Sequence, residues 1–328
     1  MASLGSIDVA PVTLNVLGLD AEFYRPSPLH GPDRTWVETN CYVDLWIELL
    51  HTLGLDPRAG AAFTLGIDFE GDQFSFFKFP LEDLRELWGI EVAEINVWLP
   101  LAQHIETHLR RGRLLTIEVD GWHLPDTAGV SYQFDHVKTT IAVQMLDQER
   151  RRMGYFHNSG YFELSGDDYA GVLRLDPDPA ALSPYVEVIK LDRFVRRGPD
   201  DVRRIVARQV AAHLGRRPEG QPIRAFRNRF DADVAWLVAG EGRHFHRYAF
   251  ATLRQLGSAA ELAASLCDWL ERSQGSAHFR RVAATAKTMQ FKLARAASGR
   301  TVDFDSLFDL METEWTHAMA TFDGFDGG

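Results

Sequence analysis

From Tyr42 to Leu50 the apolar residues recur at helical spacing, with Val43, Leu45, Trp46, Leu49 and Leu50 on one side and Asp44 and Glu48 on the other. This pattern predicts an amphipathic helix. Thr39 and Asn40 ahead of it are good N-cap residues, which places Cys41 in or beside its first turn. Residues 80–88, carrying Leu81, Leu84, Leu87 and Trp88, read as a second helix, and 90–112 as a further helical stretch broken at Pro100. Strand patterns lie among them. Residues 114–120 form a β-rich run ending on an acid and a turn, and 137–146 are rich in β-branched side chains. Residues 152–157 are placed to pair with that run across a turn at 147–151, and 74–79 look like another strand.

The texture changes at 176–184, where proline and aspartate density marks a connector. Helical patterns dominate beyond it, at 199–214, 231–238, 244–256, 258–273, 277–297 and 304–320. Leu262, Leu266, Trp269 and Leu270 share one face, and Asp303 or Asp305 is placed to cap the last helix. The pattern predicts an α+β catalytic domain over 1–180, followed by a mainly helical domain over 185–328.

Composition is that of an ordinary globular chain, 45% hydrophobic and 25% charged. A net charge of −11 argues against a nucleic-acid binder, and the arginine runs at 110–113, 150–152 and 216–217 read as solvated faces. No run has the length of a membrane span, and no basic-then-apolar leader is visible at the N-terminus. Two cysteines far apart, Cys41 and Cys267, make no disulfide framework, so the expectation is a soluble cytoplasmic protein.

Cys41 carries the candidate chemistry. At a helix N-terminus, unpaired N–H groups and the positive end of the dipole favour a thiolate, and the same groups can hold an oxyanion. His136, heading the 137–146 strand, is the candidate base. Asn158, at the end of the adjoining strand, is placed to accept the imidazole N–H and fix its orientation. Taken singly, Cys41 fits a packed small hydrophobe, His136 an exposed turn residue and Asn158 a turn former before Ser159-Gly160. Together, the order Cys, His, Asn on helix, strand and strand is that of papain-like enzymes.

Other constellations compete. His104 and His108 stand at i, i+4 like a zinc pair, but the metalloprotease acid would follow the first histidine directly, and here it is Glu106. His244-Phe-His246 fits an interfacial helical turn, and Gly240-Glu-Gly242 is too short for a nucleotide loop. Cys267 reads as core packing. Arg224, Phe226, Arg227, Arg229 and Phe230 could form a docking face.

The run Trp36-Val-Glu-Thr-Asn-Cys-Tyr-Val-Asp-Leu-Trp46 resembles an uncharacterised bacterial family, domain of unknown function 1839, whose members tend to be encoded near stand-alone aminoacyl carrier-protein ligases. More distantly, Val119-Asp-Gly-Trp-His-Leu-Pro125, then His136, then Asn158, is similar to the amino-acyltransferase family of butirosin biosynthesis. That family joins a papain-like half to a helical C-terminal region. It moves an acyl group from a carrier protein's phosphopantetheine thioester to an amine. The resemblance implies Cys41 as nucleophile, His136 as base and Asn158 where relatives more often have Asp, with Asn40 and Asp120 as site support. It implies an aminoacyl carrier protein, and its ligase, as partners, and no cofactor or metal beyond the substrate's own phosphopantetheine.

This chain departs from the pattern in lacking the glutamine that papain-like proteases place before the cysteine; Arg34-Thr35-Trp36 stands there. A thioester asks less of an oxyanion hole than an amide does, which favours acyl transfer over peptide cleavage. A thioesterase or peptidase of the same fold, and a non-catalytic carrier-protein adaptor, are the alternative expectations.

Overall fold

The computed structural model describes residues 13–176 and 182–325. The connector at 176–184 therefore lies partly outside the described residues. In chain order the first elements are β1 (Leu14–Asn15), α1 (Cys41–Thr52), α2 (Leu81–Trp88), β2 (Glu91–Glu94), α3 (Leu101–Leu109), β3 (Leu114–Asp120), β4 (Lys138–Asp147), β5 (Arg152–His157) and β6 (Gly160–Ser165). They are followed by α4 (Gly166–Val172), β7 (Val186–Lys190), α5 (Pro199–Gly215), α6 (Pro222–Ala239), α7 (Phe245–Ala249), α8 (Gln255–Trp269), α9 (Ser273–Ala297) and α10 (Asp305–Ala320). The fold is α+β, with an antiparallel sheet, flanking helices and an all-helical C-terminal region. No helix among the described residues is long and apolar enough to cross a membrane.

Two compact units form: 13–26 with 90–194, and 27–89 with 195–325. Residues 27–89, which the sequence pattern groups with the sheet, thus fold with the C-terminal helices.

The first unit is built on one sheet in the order β2-β7-β3-β4-β5-β6, and β1 pairs with β4 at Leu146 and Met145. The β-branched alternation of β3 and β4 buries Leu115, Ile117 and Val119 beside Ile141 and Val143, and Leu101, Ile105, Tyr169 and Val172 of α3 and α4 pack into the same core. Residues 91–94 are a strand where the sequence pattern predicts helix. Four residues are too few for periodicity to decide, and the partner, β7, lies far along the chain, with Val92 opposite Ile189. The helix begins only after Pro100, which occupies the N-cap position of α3.

The second unit centres on α1 and the C-terminal helices. Phe74–Phe79 joins no ladder beyond one bridge from Phe74 to Phe69. Instead the Phe74 N–H donates to the Ala251 carbonyl at 3.0 Å, and the Phe77 carbonyl accepts from the Asn40 side chain at 2.8 Å. The proposed docking face is structural. Phe226 and Phe230 are fully buried in α6, and the Arg227 guanidinium holds Asp305 and Asp309 of α10 at 2.8 and 2.6 Å.

Gly257 in α8 lies against the Trp36 ring; a Cβ built there would stand 2.2 Å from it. Trp36 is buried and anchored by its indole N–H on the Ala283 carbonyl at 3.1 Å, so it has little room to yield. Gly257→Ala should therefore lower stability by about 1–3 kcal/mol, despite alanine's better helix propensity. An unchanged urea midpoint would show that the ring moves aside at little cost.

Candidate functional site

Asn40 caps α1, its Oδ1 accepting the Val43 N–H at 3.2 Å, and Asp44 returns the bond by accepting the Asn40 N–H at 3.1 Å. This reciprocal cap fixes Cys41 as the first helical residue, half-buried, at the positive end of the helix dipole. The Asn40 amide also donates to Phe77, and the side chain is fully buried. Asn40 therefore acts as cap and strut.

Asp44 and Glu48 do not face water as the amphipathic pattern predicts. Both are buried, Glu48 fully, because His30 sits between them. The ring's Nε2 is 3.3 Å from Asp44, its Nδ1 contacts Glu48, and Glu48 also accepts the Ser27 N–H. Burial opposes charge on His30, but hydrogen bonds and attraction from the two carboxylates win and push its pKa up to about 9. An imidazolium thus offsets the acids that lie along α1 just past Cys41.

The loop ahead of Cys41 is pinned by α8 and by Arg254 just before it. Glu261 accepts the Thr35 and Trp36 N–H groups at 2.8 and 3.0 Å, Arg34 donates to Ser265 at 2.8 Å, and Arg254 donates to the Glu38 carbonyl at 3.2 Å.

In the sheet unit, β3 ends on Asp120, and Gly121 continues the pairing by donating to the Val137 carbonyl at 2.8 Å. That step brings His136 beside Asp120. The imidazole Nδ1 lies 2.6 Å from Asp120 Oδ2, and Asp120 Oδ1 accepts the Trp122 N–H at 3.0 Å. The Trp122 and His136 rings stack with centroids 4.7 Å apart. With Nδ1–H donated to the carboxylate, Nε2 is left as the free basic nitrogen on a side chain that is 72% exposed. Burial opposes ionisation of Asp120, yet the Trp122 N–H and the imidazole hold its carboxyl below the usual range. A cleft of about 830 Å³ opens beside Asp120, walled by Leu99, Leu101, Val172 and His123.

Asn158 does not meet His136 in this arrangement. It occupies the tight turn between β5 and β6 at φ 45°, on the β5 side of β4, whereas His136 turns toward β3. Its residue type suits that left-handed turn. The orienting group of His136 is Asp120.

Sequence models of the DUF1839 N-terminal domain and the DUF1839 C-terminal domain match residues 25–191 and 200–323. The chain belongs to the DUF1839 family. No curated protein is a significant match. The first DUF1839 domain takes in α1 and strands β2–β7, so Cys41, His136 and Asp120 all fall within it.

Two further features of this DUF1839 chain escape sequence reasoning. His157, 1% exposed, has Nδ1 at 2.5 Å from Asp126 and Nε2 at 2.8 Å from Thr139, while Tyr155 donates to the other Asp126 oxygen at 2.6 Å. The aspartate is 31 positions from the histidine, and no local motif marks the pair. Gln255 is 1% exposed with neither amide atom partnered; it follows Arg254 at the end of a π-helical turn, Phe250–Arg254. A polar residue inside a long helical pattern gives no signal for this.

His104 uses Nε2 to accept the Trp98 and Leu99 N–H groups at 3.2 and 3.1 Å, which makes it a loop anchor. Cys267 is fully buried, and burial pushes its thiol up to about 12, in keeping with core packing.

Proposed function

We propose that this DUF1839 protein is a cysteine acyltransferase of papain-like type. It would take an aminoacyl group from the phosphopantetheine thioester of a carrier protein, loaded by an aminoacyl carrier-protein ligase, in the reducing cytoplasm. The observation that carries this reading is the carboxylate–imidazole pair of Asp120 and His136, built like a general base with its second nitrogen open to solvent. The capped start of α1 supports it by placing Cys41 at the positive end of the helix dipole.

In the proposed mechanism, which requires Cys41 of the second unit to reach His136 of the first, His136 Nε2 would take the Cys41 thiol proton, with the resulting imidazolium stabilised by Asp120. The thiolate adds to the thioester carbon, the C–S bond to pantetheine breaks, and that sulfur takes the proton from His136. An acyl-Cys41 remains. An amine then attacks it, giving its proton to His136 as the bond forms; the Cys41–acyl bond breaks, and the thiolate recovers the proton. The first exchange is nearly balanced and amide formation drives the second.

Incubation with a glycyl or alanyl pantetheine thioester and measurement of intact mass test this. A mass gain mapped to Cys41 is expected. Asp120→Asn should slow its formation about 10³–10⁴-fold by leaving the imidazole without its carboxylate. A chain that stays unmodified would remove the acyltransferase reading and favour a carrier-protein adaptor.

A further inference from the structure

We propose a second site, in the helical unit, that binds a phosphate ester. It is a cavity of about 280 Å³ lined by Trp88, Trp269, Arg196, Arg197, Arg203 and Gly54. Three guanidinium groups around one small cavity favour an anion there. The only carboxylate in the wall, Asp56, is already held by Arg58 through a bond of 2.7 Å.

Nor is Arg197 neutralised elsewhere among the described residues. Its Nε donates to the Glu86 and Leu87 carbonyls at 3.2 and 3.0 Å, which anchors the group at the end of α2 and leaves its Nη hydrogens available. Arg196 is anchored through Nε, which donates to the Leu53 carbonyl at 3.0 Å beyond the end of α1. Arg203 is 3.4 Å from Asp200 on the exposed face of α5. Two of the three cations are therefore fixed before any ligand arrives, which lowers the cost of ordering them.

The 17-residue helix α5 starts at the same cavity. Pro199 and Val202 line it, and the N-cap Gly198 offers no side-chain acceptor to the first-turn N–H groups. These add to the attraction for an anion. The tryptophans give the cavity an apolar side, Trp88 buried and Trp269 half-buried. The recognised chemistry is thus a phosphate bound by arginines, with an organic chain or ring packed on indole. A free phosphate ester and the phosphopantetheine arm of a carrier protein both present it. The site stands independently of acyl transfer at Cys41.

Titration calorimetry on the full chain tests the proposal with coenzyme A, pantetheine and inorganic phosphate, and with a carrier protein in forms with and without its arm. Coenzyme A should bind at least about tenfold more tightly than pantetheine, which lacks phosphate. Arg203→Gln, on an exposed helix face, should erase most of that preference without moving the melting temperature. Arg197→Gln should erase it as well, and Cys41→Ala should leave it intact. Coenzyme A binding at least as tightly as the armed carrier assigns the free ester, and the armed carrier binding more tightly than both coenzyme A and the bare carrier assigns the tethered one. Equal affinity for coenzyme A and pantetheine, or an undiminished preference in Arg203→Gln, would overturn the site.

Discussion

Replacing Cys41 with alanine should abolish acyl transfer from an aminoacyl pantetheine thioester, lowering turnover by about 10⁴-fold or more. The size follows from the covalent step. Without the sulfur no acyl-enzyme forms, and only binding and the helix N-terminus remain to assist direct attack. His136→Ala should cost a similar amount, because a nucleophile and its base act as one unit and their losses do not add. The double variant should therefore be little slower than either single one. Additive losses in the double variant would mean that His136 does not serve Cys41. Circular dichroism and melting temperature of Cys41→Ala should match the parent, because the half-buried thiol leaves the Asn40 cap untouched.

The largest effect on stability is expected at His30. His30→Ala removes the cation between two buried carboxylates and should cost about 3–5 kcal/mol, the range for a broken buried ion pair. The pH dependence gives a separate check. The ring's pKa is about 9 in the folded chain, above its ordinary 6.5, so its stabilisation is complete below pH 6.5 and is lost as pH rises toward 9. The gap corresponds to about 3 kcal/mol. Urea unfolding at pH 6 and pH 9 should show the parent losing about that much more stability than His30→Gln over the interval. Parallel losses in the two proteins would mean that His30 is neutral when folded. The triad also explains why α1 can be buried all round while carrying two acids.

Local pattern decided much of what is seen. The start of α1 at Cys41, the Asn40 cap, strands β3, β4 and β5, the break at Pro100 and the long C-terminal helices were all legible in the sequence. Capping chemistry, β-branching and helical periodicity act between residues a few positions apart. The sequence also marked Cys41, His136 and Asp120, although it assigned the orienting role to Asn158.

The rest needed the tertiary structure. Asp120 and His136 are 16 positions apart and meet only because the β3–β4 register places Asp120 opposite Lys138. Asp44 and Glu48 look solvent-facing by helical period, and only the packing of His30 from an earlier loop turns them into an internal ion triad. Residues 91–94 became a strand because β7 was there to receive them, and 74–79 did not because their backbone partners were a helix carbonyl and the Asn40 side chain. The union of residues 27–89 with the C-terminal helices was equally invisible, since it rests on Glu261, Ser265 and Ala283 meeting a loop more than 200 positions earlier. Residue type and spacing record what neighbours along the chain prefer; which distant groups share a desolvated site is fixed only when the whole chain has packed.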